Sequence, residues 1–238
     1  AIRRQRQMCI RDSCKVDGMI LTRTYENDKY VKFLKQKRIP FVAVGKFPDD
    51  DVVQVDHDNV GACKELVTVL FAKGIQNIAY LGSNMDQMVN RCRYQGYEEA
   101  YRKGKRKLNQ DLVYTDLSSR AMVEKAVEEL KNSGVECILC QDDYICDEVV
   151  RKLARMGVRI PDQMKVASCH YSRVLENYPI TITSLKFNIT ELGRRSCQVL
   201  LDMIHGKTVP DKTLLDYEII MKAVSYTHLR AHETVLDL

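Results

Sequence analysis

Residues 137–162, with the sequence CILCQDDYICDEVVRKLARMGVRIPD, decide the fold prediction because they combine one strand, one loop and one helix. The apolar run at residues 137–140 predicts a buried strand, which stops before two acids, Asp142 and Asp143. Apolar residues then recur at helical spacing up to Gly157, which can take the left-handed conformation that ends a helix. In open parallel sheets, ligands bind at this end of the strands. The two acids therefore contact a ligand or cap the helix, and the two roles are compatible.

The same alternation of strand and helix runs along most of the chain. Continuous apolar runs predict strands at residues 18–22, 40–45, 52–55, 78–81, 112–115, 137–140, 166–169 and 214–221. Apolar stripes predict helices at residues 27–37, 59–74, 90–103, 119–132 and 145–156. Strands that are apolar throughout indicate an α/β fold with parallel sheets covered by helices on both faces. The strands are numerous for one sheet, and proline-containing links at residues 172–183 and 206–212 interrupt the alternation, which favours two lobes with a ligand cleft.

The composition is that of a globular protein, with 45% hydrophobic and 29% charged residues among 238. No run of about 18 apolar residues occurs, so no membrane partner is predicted. The nine cysteines lack framework spacing and fall mostly in apolar runs, which indicates reduced thiols in a cytoplasmic protein. Cys137 and Cys140 would point to opposite faces of a strand, so neither a metal site nor a cofactor is predicted. Without a nucleotide-binding glycine motif or a nucleophile matched to a base, we predict that the chain is not an enzyme.

Both ends of the chain resemble foreign sequence. MCIRD at residues 8–12 and VSYTHL at residues 224–229 can be translated from opposite strands of one DNA element. They are similar to the translated ends of a transposon-type sequencing adaptor. We therefore interpret residues 1–13 and 224–238 as non-native, the alternative being a natural basic arm and a natural tail. On this interpretation, residues 14–223 are a fragment of a longer reading frame.

Six motifs in this interval resemble the effector-binding core of LacI/GalR-type transcription regulators, in the order and spacing of that family. They are VDGMIL, IPFVAVG, DNVGACKELVTVLFAKGIQNIAYLGS, RYQGYEEAYRK, CQDDYICDEVVRKLARMGVRIPD and ITSLKFNITELGRRSCQVLLDMIHGK. The resemblance implies a periplasmic-binding-protein-like I fold, in which two lobes each contain a parallel sheet flanked by helices. Three crossovers connect the lobes of that fold, and a small effector is enclosed between them.

The resemblance also implies where the lobes lie in this chain. Residues 14–58 with 180–208 would form the N-terminal lobe, and residues 59–179 with 209–223 the C-terminal lobe. The family's helix-turn-helix and its first two strand-helix units would lie upstream, which leaves the N-terminal lobe incomplete. The strand at residues 18–22 would then expose an edge, and we expect the chain expressed alone to be poorly soluble.

The family motif R-x-x-G-[FY] falls on residues 93–97 and makes Arg93 a candidate ligand residue. A guanidinium group can grip hydroxyls or a carboxylate through paired hydrogen bonds. The alternative is a surface helix arginine. The family's Asn-Asp pair falls on Asp142 and Asp143, whose carboxylates can accept hydrogen bonds from vicinal hydroxyls of a sugar.

Two departures from the family pattern affect the same predicted site. His170 replaces an acid at a strand end, where its imidazole could contact the effector or be merely structural. Leu117 stands where the family often has an aromatic residue that stacks on the ligand, which weakens sugar stacking. The resemblance thus implies a ligand site of Arg93, Asp142, Asp143, His170 and Leu117.

The implied function is the effector-sensing and dimerisation core of a LacI-type DNA-binding transcriptional regulator. Its expected partners are a small-molecule effector such as a sugar or related metabolite, a second copy of the chain in a homodimer, and operator DNA. Contact with DNA would occur only through the missing N-terminal region. The alternative is the sugar-binding protein of an ABC transporter, which has the same fold.

Overall fold

The computed structural model describes residues 16–26, 28–49, 51–180 and 182–222, together with the strand Tyr226–Arg230. The adaptor-like segment at residues 1–13 lies outside the described residues, as does most of the segment at residues 224–238. The chain forms two compact units, Ala1–Asp56 with Ile189–Leu214 and His57–Asn188 with Leu215–Leu238. It passes from one unit to the other three times, and the predicted α/β fold with three crossovers is confirmed.

The regular elements follow one another with short connections. The strands are β1 (Met19–Leu21), β2 (Phe41–Val44), β3 (Gln54–His57), β4 (Ile78–Leu81), β5 (Val113–Tyr114), β6 (Cys137–Cys140), β7 (Lys165–Ser168), β8 (Ile182–Phe187), β9 (Lys212–Leu215), β10 (Tyr217–Lys222) and β11 (Tyr226–Arg230). The helices are α1 (Lys29–Lys37), α2 (Asn59–Ala72), α3 (Met88–Lys103), α4 (Arg120–Leu130), α5 (Asp143–Arg155), α6 (Arg173–Glu176) and α7 (Ile189–Ile204).

The first unit contains a four-stranded sheet in the order β1-β2-β3-β9. β1 to β3 run parallel, and the backbone N–H of Gln54 donates to the carbonyl of Asp211 at the start of β9, at 2.8 Å. Val31 and Leu34 of α1 pack into the core of this unit with Phe41. Among the described residues β1 is an edge strand, which is the feature on which the solubility prediction rests.

The second unit contains a seven-stranded sheet in the order β11-β10-β8-β7-β6-β4-β5. The strands from β8 to β5 are parallel, whereas β10 is antiparallel to both β8 and β11. Cys137 and Leu139 of β6 face the core formed with α2 and α3, which we call the α2/α3 core. Ile138 and Cys140 face the opposite α4/α5 core. An apolar run without alternation therefore marks a strand that is buried on both faces.

Strand pairing corrects the predicted lobe boundaries. Residues 180–208 were assigned to the N-terminal lobe, but β8 pairs with β7, with Val166 opposite Ile182, and thus belongs to the second unit. Residues 209–223 were assigned to the C-terminal lobe, but β9 borders β3 in the first sheet. The single strand predicted at residues 214–221 is consequently two strands, β9 and β10, in different sheets.

Candidate functional site

Arg93 is a buried side chain of α3 and not a surface arginine, because only 8% of it is exposed. Its Nη1 donates to the backbone carbonyl of Gln141 at 2.9 Å. Its Nε donates to Oδ1 of Asn59 at 3.2 Å. The guanidinium group is therefore fixed between the end of β6 and the start of α2, which leaves its remaining N–H groups for another acceptor.

The two acids after β6 occupy different positions at the start of α5. Asp142 is the N-cap residue, and its Oδ1 accepts a hydrogen bond from the backbone N–H of Ile145 at 2.8 Å. Asp143 is the first residue of the helix. Burial raises the pKa of Asp142, while the N–H of Ile145 and the charge of Arg93 act in the opposite direction. The capping role predicted for this pair is thus performed by Asp142, and one of its oxygens is left for other contacts.

His170 follows β7 and faces the same group of side chains. Its ring stacks on that of Phe187, with centroids 6.2 Å apart and planes inclined by 18°. Burial lowers the pKa of His170 and the charge of Arg93 lowers it further, whereas Asp143 and Asp142 act in the opposite direction. A neutral imidazole offers one donor and one acceptor.

Two residues of this cluster are absent from the predicted site. His57 ends β3, and its ring centroid lies 4.8 Å from that of Phe187, which ends β8. The guanidinium carbon of Arg93 lies 5.9 Å from the centre of the Phe187 ring, a cation–π distance. Burial lowers the pKa of His57 to about 4, and the charges of His170 and Arg93 contribute to this decrease while Asp216 opposes it. The feature that could have indicated His57 and Phe187 is their position, because both residues end parallel strands.

Gln141 is also absent from the predicted site, although it connects two strand ends. Its side chain is fully buried, and its Oε1 accepts a hydrogen bond from the backbone N–H of Ser83 at 2.9 Å. A Cβ atom on Gly82 would lie 2.4 Å from this Oε1, so a larger residue there would displace the amide of Gln141. Gln141 thereby fixes the loop after β4 to the loop after β6. The loop after β6 contains Asp142 and accepts the hydrogen bond from Arg93 of α3.

Leu117 is the apolar member of the five predicted residues. It is 7% exposed and packs in the α4/α5 core. Its backbone N–H donates to the carbonyl of Gly82 at 3.1 Å, directly after Asp116, which has a φ of 57°. The charges of Arg93, Asp143 and His170 act on the pKa of Asp142, and those of Arg93, Asp143 and Asp142 act on the pKa of His170, so these four side chains lie within electrostatic range of one another.

The part of the chain that the structure describes contains neither a grouped set of metal ligands nor a membrane-spanning helix. In that part, no three His, Cys, Asp or Glu side chains are grouped so that they could hold a metal ion. Nor does that part contain a helix with the length and hydropathy needed to cross a membrane.

Comparison with known proteins assigns the family. Residues 67–223 match the family described as periplasmic binding protein-like domain. The chain belongs to this family. The HTH-type transcriptional regulator CelR of Thermobifida fusca is 26% identical to this chain over 213 residues, which cover 87% of this chain and 63% of CelR. The HTH-type transcriptional regulator GntR of Escherichia coli strain K12 is 27% identical over 217 residues, which cover 85% of this chain and 61% of GntR.

Solved structures of such regulators have the same fold. The CelR–cellobiose complex superposes with a TM-score of 0.82 and 25% identity, covering 93% of this chain and 69% of that chain. A putative LacI transcriptional regulator from Bacillus cereus subsp. cytotoxis NVH 391-98 gives a TM-score of 0.84 at 25% identity, covering 94% and 81%. The resemblance to LacI-type regulators is therefore confirmed, and this chain spans about three fifths of the length of its curated relatives. These relatives are regulators, which does not support the transporter alternative.

Proposed function

We propose that this chain is the effector-sensing core of a LacI-type transcriptional regulator. The observation that carries the proposal is the buried guanidinium group of Arg93, held by Gln141 and Asn59 beside the carboxylates of residues 142–143 and the imidazole of His170. Burying a charged group is costly unless its hydrogen bonds are satisfied. Some N–H groups of Arg93 donate to protein acceptors and hold the side chain in place. Its other N–H groups are therefore suited to bind a polar ligand.

The effector that we propose is a sugar or a related hydroxylated metabolite. Carboxylates accept hydrogen bonds from vicinal hydroxyls, the guanidinium group donates, and a neutral imidazole does either. One relative is known as a complex with cellobiose, which supports this ligand class. We propose binding without catalysis, because the relatives of this chain are transcriptional regulators.

The proposed mechanism is a shift between two closure states. An effector that binds one of the two states more tightly increases the population of that state. The difference between its affinities for the two states limits the size of the response. In the whole protein, which we place in the cytoplasm, this shift would change how a homodimer positions its DNA-binding domains on the operator. The coding sequence upstream tests this part of the proposal. A helix-turn-helix is expected there, and a secretion signal would contradict it.

Thermal shift measurements with sugars and nucleosides test the site. A ligand at about 100 times its Kd stabilises the folded state by about 2.7 kcal/mol, which raises Tm by about 5–10 °C for a protein of this size. We expect Arg93→Ala to weaken binding by about 10- to 100-fold, because charged hydrogen bonds contribute about 1.5–3 kcal/mol. The control is Arg102→Ala, since Arg102 lies on the same helix with 80% of its side chain exposed.

Two outcomes would contradict the proposed site. Retention of the full ligand-induced shift by Arg93→Ala, or equal losses in the Arg93→Ala and Arg102→Ala variants, would remove Arg93 from the site. The absence of a shift with every sugar tested, together with a clear shift from a nucleoside, would replace the proposed effector class.

A further inference from the structure

Two buried cysteines from distant parts of the chain lie in contact beneath the candidate site. The Sγ atoms of Cys63 and Cys169 are 3.5 Å apart, although 106 positions separate the two residues in sequence. Both side chains are fully buried in the α2/α3 core. Cys63 belongs to α2, and Cys169 directly follows β7. The contact therefore joins a helix to the strand end that carries His170.

The surroundings of this pair connect it to the ligand-binding residues. Asn59, which accepts the hydrogen bond from Nε of Arg93, lies one helical turn before Cys63 on α2. Tyr80 of β4 is fully buried close to both sulfur atoms. Burial is the main reason that the pKa of its phenol is raised, and the charges of the two cysteines raise it further. Within the described residues its hydroxyl has no hydrogen-bond partner, so a polar group is available there to a small polar molecule.

We propose that Cys63 and Cys169 form a reversible disulfide, which makes the pair a redox modification site beneath the effector site. A disulfide requires the two sulfur atoms to approach to about 2.05 Å. From 3.5 Å, this closure needs rotation about the Cα–Cβ bonds and a small movement of α2 relative to β7. Such a movement shifts Asn59 and His170 together, and the cross-link would then hold them in the new position.

The proposed oxidant is a peroxide. One thiolate attacks a peroxide oxygen, the O–O bond breaks, and the thiol becomes a sulfenic acid while the released hydroxide takes up a proton to give water. The second sulfur then attacks the sulfenic sulfur, the S–O bond breaks, and water leaves as the S–S bond forms. The two sulfur atoms together lose two electrons, hydrogen peroxide gains two, and two waters are produced.

The environment of Cys63 determines the expected rate. Burial raises the pKa of the Cys63 thiol well above its ordinary value, and the hydrogen bond with Cys169 adds to this effect. Because the thiolate is the reactive form, the disulfide should form slowly at neutral pH and faster as pH rises. Cys197 is exposed and should be modified sooner.

Disulfide mapping of the full chain tests the proposal. The reduced protein is treated with hydrogen peroxide at pH 7 and pH 9, its free thiols are blocked, and its non-reduced peptides are identified by mass spectrometry. We expect a cross-linked peptide pair containing residues 63 and 169, more of it at pH 9, and its disappearance with dithiothreitol. Cys63→Ser and Cys169→Ser should each abolish the cross-link, whereas Cys197→Ser should retain it.

The oxidised protein should also have a higher Tm than the reduced protein, because the cross-link closes a long loop in the unfolded chain. The proposal is overturned if Cys197 is fully oxidised while residues 63 and 169 remain thiols in folded protein. It is equally overturned if these two residues are linked only after unfolding in urea. The inference does not rest on the proposed function, because mapping requires no effector or DNA.

Discussion

Replacing Gly96 by alanine is expected to lower the free energy of unfolding by about 2–3 kcal/mol, at the upper end of the usual cost of overpacking. Gly96 lies where α3 crosses α2, and a Cβ atom there would be 2.4 Å from the carbonyl oxygen of Val60. It would also be 2.8 Å from the Cβ of Cys63 and 3.0 Å from the backbone N of Lys64. None of these atoms is at the end of a flexible side chain, so the helices themselves must separate.

The matched control is Gly193→Ala in α7. No atom lies within 4 Å of the position of a Cβ there, and φ is not positive. The same substitution should therefore raise the unfolding free energy by up to about 1 kcal/mol through helix propensity. Urea unfolding followed by circular dichroism measures both variants. Equal stability of the two alanine variants would show that the α2–α3 contact does not require glycine.

The Gly96 prediction also explains why the arginine motif has this spacing. Arg93 lies three residues before Gly96, almost one turn earlier on α3. The close approach that glycine permits brings α3 near enough to α2 for Nε of Arg93 to reach Asn59 at 3.2 Å. We therefore expect Gly96→Ala to weaken ligand binding as well as stability.

The parts of the fold that the sequence predicted well are those determined by local pattern. β6 occupies the predicted residues 137–140 because its run is apolar throughout and ends at polar residues. Pairing is not local, and there the prediction was incomplete. Asp216 alone separates β9 from β10, so the sequence did not reveal that these strands join different sheets. β8 was obscured by the proline-containing link at residues 172–183.

The residues of the candidate site also differ in how far the sequence could predict them. Arg93, Asp142, Asp143 and His170 remain predicted ligand residues, and the sequence indicated them because they fall on motif positions or directly follow predicted strands. His57 was missed because β3 extends two residues beyond the predicted strand at residues 52–55. Such extensions depend on which strands pair, and sequence periodicity does not encode them. A residue at a strand end is therefore a candidate only once the sheet is known.

His57 should make the protein less stable in weak acid. Its pKa is about 4 in the folded chain and about 6.5 when unfolded. Between these values the unfolded chain binds a proton that the folded chain does not, so falling pH favours unfolding. The stabilisation is complete above about pH 6.5 and is lost as pH falls towards 4. The pKa of His170 is also lowered and acts in the same direction, whereas that of Asp142 is raised and acts in the opposite direction.

Comparison with His57→Gln isolates the contribution of this one imidazole from the other groups. Between pH 7.5 and pH 5, we expect the wild-type chain to lose about 1–2 kcal/mol more unfolding free energy than the variant, after allowing for solvent access to the ring. His205→Gln is the control, since His205 is exposed beyond the end of α7. Urea unfolding at both pH values provides the measurement, and equal losses in wild type and His57→Gln would contradict the prediction. The direction follows first from burial of the His57 ring, and the charges of His170 and Arg93 also disfavour a positive charge on it, whereas Asp216 opposes them.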